Sequence, residues 1–447
     1  METDLELQTA KLETKRILPN IAKVVNDGLC TGCGTCAGIC PVDAISMRIS
    51  KGLFLPQIDA TKCTDCSLCI RSCAGCSVDF RELNSRIFGR QPEDDLLGNY
   101  LECYVGHSND ESVRFDSSSG GLVTQLLIFA LRKGLVDGVI VAKMRKDRPL
   151  EPEAFIARSE EELVTASRSK YCPVTLSEAL RQVLREKGKF AVVGLPCHIH
   201  GIRKAEAALG QLGDKIVFHF GLMCSHTVSF DGTSFLLSRV RVDSKQVKSI
   251  AYRGMGWPGY MRIELVNRSV KIPYVGSWKA YWPSFACFFF TPVRCAMCPD
   301  ETNELADVSF GDAWLPEFKC DKSGQSIVVA RTENGKRILE LAHSEGCIWL
   351  KSISPEQVKR SQAHPLKFKK CDFETRLAIL ESRWIRAPIF EIQRRDHSSS
   401  ISCYARSLFV LSSIELSKSR FFRHTLSHVP FPLFRLYYAV YRVLMMF

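Results

Sequence analysis

The chain contains no uninterrupted apolar stretch of about 18 residues, the length that spans a bilayer, so no transmembrane helix is expected. Its opening segment, METDLELQTAKLETKRILPN, is charged and has no apolar core, which argues against a secretory signal. No Gly-x-Gly-x-x-Gly falls in a strand–helix turn, so a Rossmann-type dinucleotide site is not expected. Histidine is scarce, with 10 in 447 residues. Acids are outnumbered: 48 Asp and Glu against 60 Lys and Arg leave a net charge of +12. That excess suits acidic partners, anionic cofactors or a membrane surface, or simply marks a basic soluble protein. No nucleic-acid-binding motif stands behind it, so nucleic acid is not expected as a partner.

Cysteine is what the chain has in excess, with 20 residues. With no secretory signal to imply disulfides, metal-bound thiolates in a reducing, cytoplasmic interior are the better reading. At 447 residues the chain is too long for one ordinary core, and two or three domains are expected. Residues 1–25 read as a polar, partly helical lead-in, and 26–80 as a loop-rich, cysteine-rich domain. Residues 100–370 read as α/β and 371–447 as a basic, aromatic tail. In the third section strands at 136–142, 190–195 and 216–223 alternate with helical stretches at 121–133, 177–187 and 199–209. Strands joined by helices of that length favour a mainly parallel sheet.

The cysteine-rich section holds one pattern twice, Cys30-x-x-Cys33-x-x-Cys36-x-x-x-Cys40 and Cys63-x-x-Cys66-x-x-Cys69-x-x-x-Cys73. This is the spacing of bacterial two-cluster ferredoxins, in which the fourth cysteine of each run serves the other cluster. Cys30, Cys33, Cys36 and Cys73 are therefore expected to hold one [4Fe–4S] cube, and Cys63, Cys66, Cys69 and Cys40 a second. Three closely spaced cysteines wrap one side of a cube and point backbone N–H groups at its sulfurs. The competing reading is structural zinc, which prefers two knuckles spread further apart. Pro41 follows Cys40 as the pattern asks, but Ala74 follows Cys73, and Cys76 stands close enough to compete as a ligand.

Further motifs run through the α/β section: Ser119-Gly120-Gly121, Ser169-Lys170-Tyr171, Gly194-Leu195-Pro196-Cys197, Tyr252-Arg253-Gly254, Cys295-Ala-Met-Cys298, Ala306-Asp307 through Gly311-Asp312-Ala-Trp314, and Gly324-Gln325-Ser326. In this order they resemble the coenzyme F-420 hydrogenase/dehydrogenase beta-subunit family, over residues 26–365. The resemblance implies a ferredoxin-like domain followed by an α/β domain that binds FAD, α+β and α/β in class; the C-terminal tail, outside the match, reads from its own residues as helical. It implies an FAD-dependent iron–sulfur oxidoreductase fed by ferredoxin or a redox partner subunit. Its small-molecule substrate would be the deazaflavin coenzyme F-420 or another reducible metabolite, as in reductases tied to polysaccharide biosynthesis. A non-catalytic electron-transfer subunit is the alternative.

By the same resemblance Ser119, Gly120, Gly121, Ser169, Lys170, Tyr171, Arg253 and Asp312 are expected to contact FAD or substrate. Ser119-Gly120-Gly121 precedes an apolar helix, where the dipole favours a phosphate, though it also reads as an ordinary N-cap. Lys170 is expected to hold the pyrophosphate or the developing anion of the reduced ring, and otherwise is a solvated lysine. His198 is placed to donate protons near a flavin, or to hydrogen-bond within the scaffold. Cys197 and Cys224 follow strands, at the edge where cofactors collect in parallel sheets. With Cys295 and Cys298 they are expected to hold a third [4Fe–4S] cube between the other two and the flavin. The alternative is two buried thiols beside a zinc or an empty Cys-x-x-Cys.

From 404 onward the chain carries Arg406, Lys418, Arg420, Arg423, Arg435 and Arg442 against one acid, Glu415. The final run suits an amphipathic helix lying on the inner, anionic face of a membrane, or one packed on the protein's own core.

Overall fold

The computed structural model describes residues 20–276, 279, 281–392 and 400–446. The expected lead-in lies outside the described residues up to residue 19. Its end is the helix Ile21–Asn26, capped by the Asn20 side chain, which accepts from Ala22 N at 3.0 Å.

In the cysteine-rich section β1 (Ile45–Ser50) and β2 (Leu53–Ile58) form an antiparallel hairpin. Its two turn residues, Lys51 and Gly52, both have positive φ, the conformation that matches the strands' twist. A short strand, β3 (Ser77–Asp79), follows. The larger section supplies β4 (Glu102–Ser108), β5 (Gly138–Met144), β6 (Pro152–Ala157), β7 (Phe190–Gly194), β8 (Ile216–Leu222), β9 (Val247–Ala251), β10 (Tyr260–Leu265), β11 (Ser269–Pro273), β12 (Val308–Asp312), β13 (Ser326–Ala330) and β14 (Ile348–Ser352). Among the described residues eight of these form one sheet in the order β14-β4-β13-β12-β8-β7-β5-β6. The contiguous block β12-β8-β7-β5 is parallel, as the helical crossovers lead one to expect. The other pairings are antiparallel. No α-helix separates β12 from β13 or β5 from β6, so the chain simply turns back on itself. Strands β9, β10 and β11 make a separate antiparallel sheet.

Alternation along the strands feeds two cores. Val139 and Val141 point into one, with Leu126 and Leu339 from the helices Leu122–Arg132 and Glu333–Ser344. Ile140 points into the other, with Leu180 and Ile199 from the helices Ser177–Arg185 and Pro196–Ala208. The cysteine-rich section is tied to the tail section where β15 (Ile389–Glu391) pairs in parallel with β3. The tail is three helices, Ile401–Lys418, Arg420–His428 and Phe431–Met446. They pack on the body through the buried Arg406–Asp372 pair, at 2.6 and 2.9 Å, and a bond from Trp282 Nε1 to Tyr438 Oη at 2.9 Å.

One buried charge cluster ties the sheet to the helix Pro196–Ala208. His219, in β8, reaches Glu206 at 2.7 Å and Asp307 at 3.1 Å, and Arg203 reaches Asp307 at 3.1 Å. Burial and Arg203 oppose a charge on His219, but the two carboxylates outweigh them and raise it above its ordinary 6.5. Glu206 and Asp307 are likewise disfavoured by burial, yet held below their ordinary values by His219 and Arg203. The imidazolium stabilises the fold fully below about pH 6.5 and ceases to do so as pH rises through its raised value. The carboxylates stabilise above their ordinary values and cease as pH falls through their depressed ones. The thermal midpoint is therefore expected to drop on the alkaline side, and His219→Gln to flatten that drop. An unchanged alkaline slope in the variant would rule His219 out.

Candidate functional site

The twelve expected cysteine ligands gather in three groups. In the first, the loop through Gly32 and Gly34, both at positive φ, brings Cys30, Cys33 and Cys36 round on one side. An added Cβ on Gly34 would sit 2.0 Å from Thr175 Oγ1, so only glycine lets the loop lie this close to the α/β section. Cys73 joins this group: burial raises the Cys36 thiol most, followed by Cys33, Cys73 and Cys30. Burial likewise pushes Cys30 up to about 12 and Cys73 up to about 11. Gly32 N donates to Cys30 Sγ at 3.4 Å, and the backbone of Gly75 and Cys76 donates to Cys73. Cys76 thus enters through its N–H, and Cys73 is the sulfur that faces the first loop. In the second group Cys40, Cys63, Cys66 and Cys69 line one hollow with Pro41, Ile58 and Leu68. Cys66 is exposed, so this group opens to the surface.

In the third group Cys197 begins the helix Pro196–Ala208, Cys224 follows β8, and Cys295 and Cys298 flank the end of the helix Val293–Ala296. Burial raises Cys197 most, and then its neighbours Cys33, Cys295 and Cys298 do. For Cys224 the thiol neighbours are Cys295 and Cys197. The Cys197, Cys224 and Cys295 sulfurs are deep enough for desolvation to dominate, yet each of the four residues is only partly buried. Cys33 is the link between groups one and three. On the helix that bears Cys197, an added Cβ at Gly201 would stand 3.6 Å from Cys33 Sγ.

Cations crowd these sulfurs. Arg294 donates to Ala74 O at 2.9 Å and Gly75 O at 3.3 Å, joining the third group's loop to the first group's. Lys204 donates to Cys73 O at 2.8 Å and Ser77 O at 2.6 Å. Lys369, almost fully buried, donates to Cys295 O at 3.1 Å and faces Cys298, Cys295 and Cys224. Arg376, fully buried near Cys298, has two terminal nitrogens with no hydrogen-bond partner. These hydrogen bonds run to carbonyls, which do not neutralise a buried cation, and the carboxyl beside Lys369, Glu301, is pushed toward its neutral form by burial. A negative group among the thiols would, and an iron–sulfur cube with four thiolates is such a group. Among the described residues no His, Cys, Asp or Glu side chains are drawn together as a single-ion site. A cube is held at four corners, so its ligands stand wider apart than those of one zinc.

The other expected contacts meet around the end of β12, where Asp312 binds Arg253 and Arg253 reaches Tyr171. Ser169 N donates to Ser118 Oγ at 2.8 Å, setting the Arg168–Tyr171 turn beside Ser119-Gly120-Gly121. Gly120 is packed against strand backbone, since an added Cβ would meet Gly106 O at 2.6 Å. Gly121, at positive φ, caps the helix Leu122–Arg132 with no side chain over its first N–H groups. Tyr171 stacks on Tyr274, and Trp257, Trp282 and Trp314 continue an aromatic wall. Sequence reasoning missed Trp257, Trp282 and Tyr274, for which aromatic density was the available signal. It also missed that Gly254, Gly256 and Gly259 spell the dinucleotide spacing, though between strands β9 and β10 rather than before a helix.

Several expected roles need correcting. His198 is not free to move protons: Nδ1 accepts from Leu195 N and Nε2 meets Val174 O, both at 3.1 Å, and burial lowers it to about 4. Lys170 is not a solvated lysine or an open phosphate clamp. Its Nζ donates to the carbonyls of Ala166, Ser167 and Arg168, and burial lowers it to about 7. Arg253 and Asp312 bind each other at 2.7 and 2.9 Å, and Trp257 Nε1 donates to Asp312 at 2.9 Å. They brace the wall rather than offering free charge.

Comparison with known proteins bears on these geometries. Residues 103–181 match the N-terminal part, and 187–356 the C terminus, of the coenzyme F420 hydrogenase/dehydrogenase beta subunit. Residues 29–75 match a 4Fe-4S dicluster domain. The chain is 27% identical over 371 residues to the coenzyme F420-dependent sulfite reductase of Methanocaldococcus jannaschii, covering 79% of this chain and 52% of that protein. It thus spans about half the length of that relative. It is 27% identical over 296 residues to the coenzyme F420 hydrogenase subunit beta of Methanosarcina barkeri, covering 65% of this chain and 94% of that one. A chain of the F420-reducing [NiFe] hydrogenase complex from Methanosarcina barkeri aligns with a TM-score of 0.50 at 25% identity, again over 65% and 94%. The two family halves and the dicluster match agree in order and position with the sheet and the paired cysteine runs, and the chain belongs to the coenzyme F420 hydrogenase/dehydrogenase beta-subunit family, with an iron–sulfur domain at its N-terminal end.

Proposed function

We propose that this chain is an iron–sulfur flavoprotein oxidoreductase that exchanges hydride with coenzyme F420. Cys40, Cys63, Cys66 and Cys69 would hold one [4Fe–4S] cube at the surface, where ferredoxin or a partner subunit reaches it. Cys30, Cys33, Cys36 and Cys73 would hold a second beneath, and Cys197, Cys224, Cys295 and Cys298 a third. The observation that carries this is the continuity of the three groups through Cys33, among buried cations whose hydrogen bonds run to backbone carbonyls. FAD would be held by Ser119-Gly120-Gly121, whose helix end carries no side-chain cap and suits a phosphate, and by Ser169, Tyr171 and the neighbouring tryptophans. A flavin supplies the conversion between single electrons and a hydride. Arg253 and Asp312 hold the wall, and Lys170 holds the turn that carries Ser169. The substrate follows the names of the relatives; a metabolite of polysaccharide synthesis is the other class, separated from F420 by direct assay of each.

Anaerobic purification with iron, sulfide and flavin quantification tests the proposal. About twelve irons and one FAD are expected. Irons without flavin would instead favour an electron-transfer subunit, and zinc without iron would overturn the proposal entirely.

A further inference from the structure

The tail lies beyond the family match, which ends at residue 356. Its last helix, Phe431–Met446, has two apolar faces. The inner one is used: Phe434 and Met445 are buried, and Tyr437 and Tyr441 pack on Phe289 and Phe288. The outer one is bare. Leu433, Leu436, Val440, Val443 and Met446 are each between 46% and 70% exposed and recur at intervals of three and four, which lines them up along one side. Arg435 and Arg442, two turns apart and exposed, run along one edge of that stripe. Among the described residues no helix is long and apolar enough to cross a membrane, so the stripe has no spanning role.

We infer that this face docks on an anionic lipid surface, the helix lying in the interface plane with its apolar stripe among the acyl chains and its arginines on the headgroups. Charge selects this occupant over a second copy of the chain. From residue 416 to the end there is no Asp or Glu; Lys418 and Arg423 are answered by Glu415 and Asp231, while Arg435 and Arg442 lie exposed on a helix with no acid of its own. Two such helices packed stripe to stripe would bring arginines together with no acid in the helix to answer them. An anionic bilayer supplies both the apolar layer and the missing negative charge. The bond from Trp282 to Tyr438 and the packing of Tyr441 hold the helix in place, so the stripe is presented already folded. The inference is independent of the redox reading above.

Flotation of the full-length protein with phosphatidylcholine vesicles, with and without phosphatidylglycerol, tests it. The protein is expected to float with the anionic vesicles only. Leu436→Glu with Val440→Glu is expected to lower binding at least about tenfold. Arg435→Gln with Arg442→Gln is expected to weaken it and remove its salt sensitivity. These positions are exposed, and unchanged iron content and thermal midpoint confirm that the variants fold. A wild-type protein that stays with the soluble fraction, or glutamate variants that float equally well, would overturn the inference. So would a wild-type dimer, seen by sedimentation, that the glutamate variants dissociate.

Discussion

Replacing Cys197, Cys224, Cys295 and Cys298 together by serine is expected to remove about a third of the bound iron while leaving the N-terminal clusters in place. Serine is close to cysteine in shape though more polar, and Lys369 and Arg376 would lose the negative group beside them, so a lower thermal midpoint is expected together with the iron loss. What disappears is the soft thiolate that iron requires. The N-terminal groups keep their own ligands and their backbone donors to sulfur, so their spectra in the reduced protein should persist. Turnover that depends on ferredoxin should fall to background if electrons take the proposed route through the neighbouring Cys33 and Cys197. Serine at Cys172 and Cys287, which are buried away from these groups, should leave iron unchanged. Unaltered iron in the quadruple variant would leave the third centre without support.

The largest expected loss of stability is at Arg331. It is 2% exposed and uses its whole guanidinium. Nε donates to Ser309 Oγ at 2.8 Å, Nη1 to Leu97 O and Asn99 O at 2.6 Å, and Nη2 to Thr302 O at 2.9 Å and Thr302 Oγ1 at 3.0 Å. Burial opposes its charge, and Glu304 and Asp300 support it. Arg331→Met would strand three carbonyls and remove the cation facing those carboxylates, at a cost of about 3–5 kcal/mol. Arg331→Lys should recover less than half of this, since an ammonium cannot reach all five acceptors in one plane. Thermal unfolding under anaerobic conditions measures both. Thr302 lies on the loop that follows Cys298, and Asp300 on that loop binds His200 at 2.7 Å, on the helix of Cys197. The methionine variant should therefore also lose iron faster to a chelator. A wild-type midpoint for Arg331→Met would refute the argument.

The features legible in the sequence were those written locally. The eight-cysteine assignment rests on two runs with spacings of two and three residues, and a loop of that size has few ways to close. The strands at 138–144, 190–194 and 216–222 were visible because a strand buried on both faces is a continuous apolar run. The antiparallel pairing of β12 with β13 was not visible, because register depends on which strand lies alongside, not on either strand's own pattern. His198 was chosen by chemical type, and Lys170, Arg253 and Asp312 were carried over by the family resemblance. Each proved committed to a partner: Val174, three successive carbonyls, or, for the last two, each other. Such partnerships form at folding and leave no periodic trace. For the same reason Lys369 and Arg376 drew no attention, although their burial beside the cysteines is what fits that region for a negative group.

Arg294 and Lys204 reach from the α/β section to the carbonyls around Cys73, and Gly34 fits against Thr175 with no room for a methyl group. The ferredoxin-like part is therefore not a bead on a tether. A tethered carrier must swing to deliver, and its rate falls as the solvent thickens. Here the distance between the two cysteine centres is set by hydrogen bonds and packed backbone, so passage between them would be ungated. Glycerol or sucrose should slow only the arrival of the partner and the exchange of substrate, leaving the internal step with the same rate in thin and thick solution.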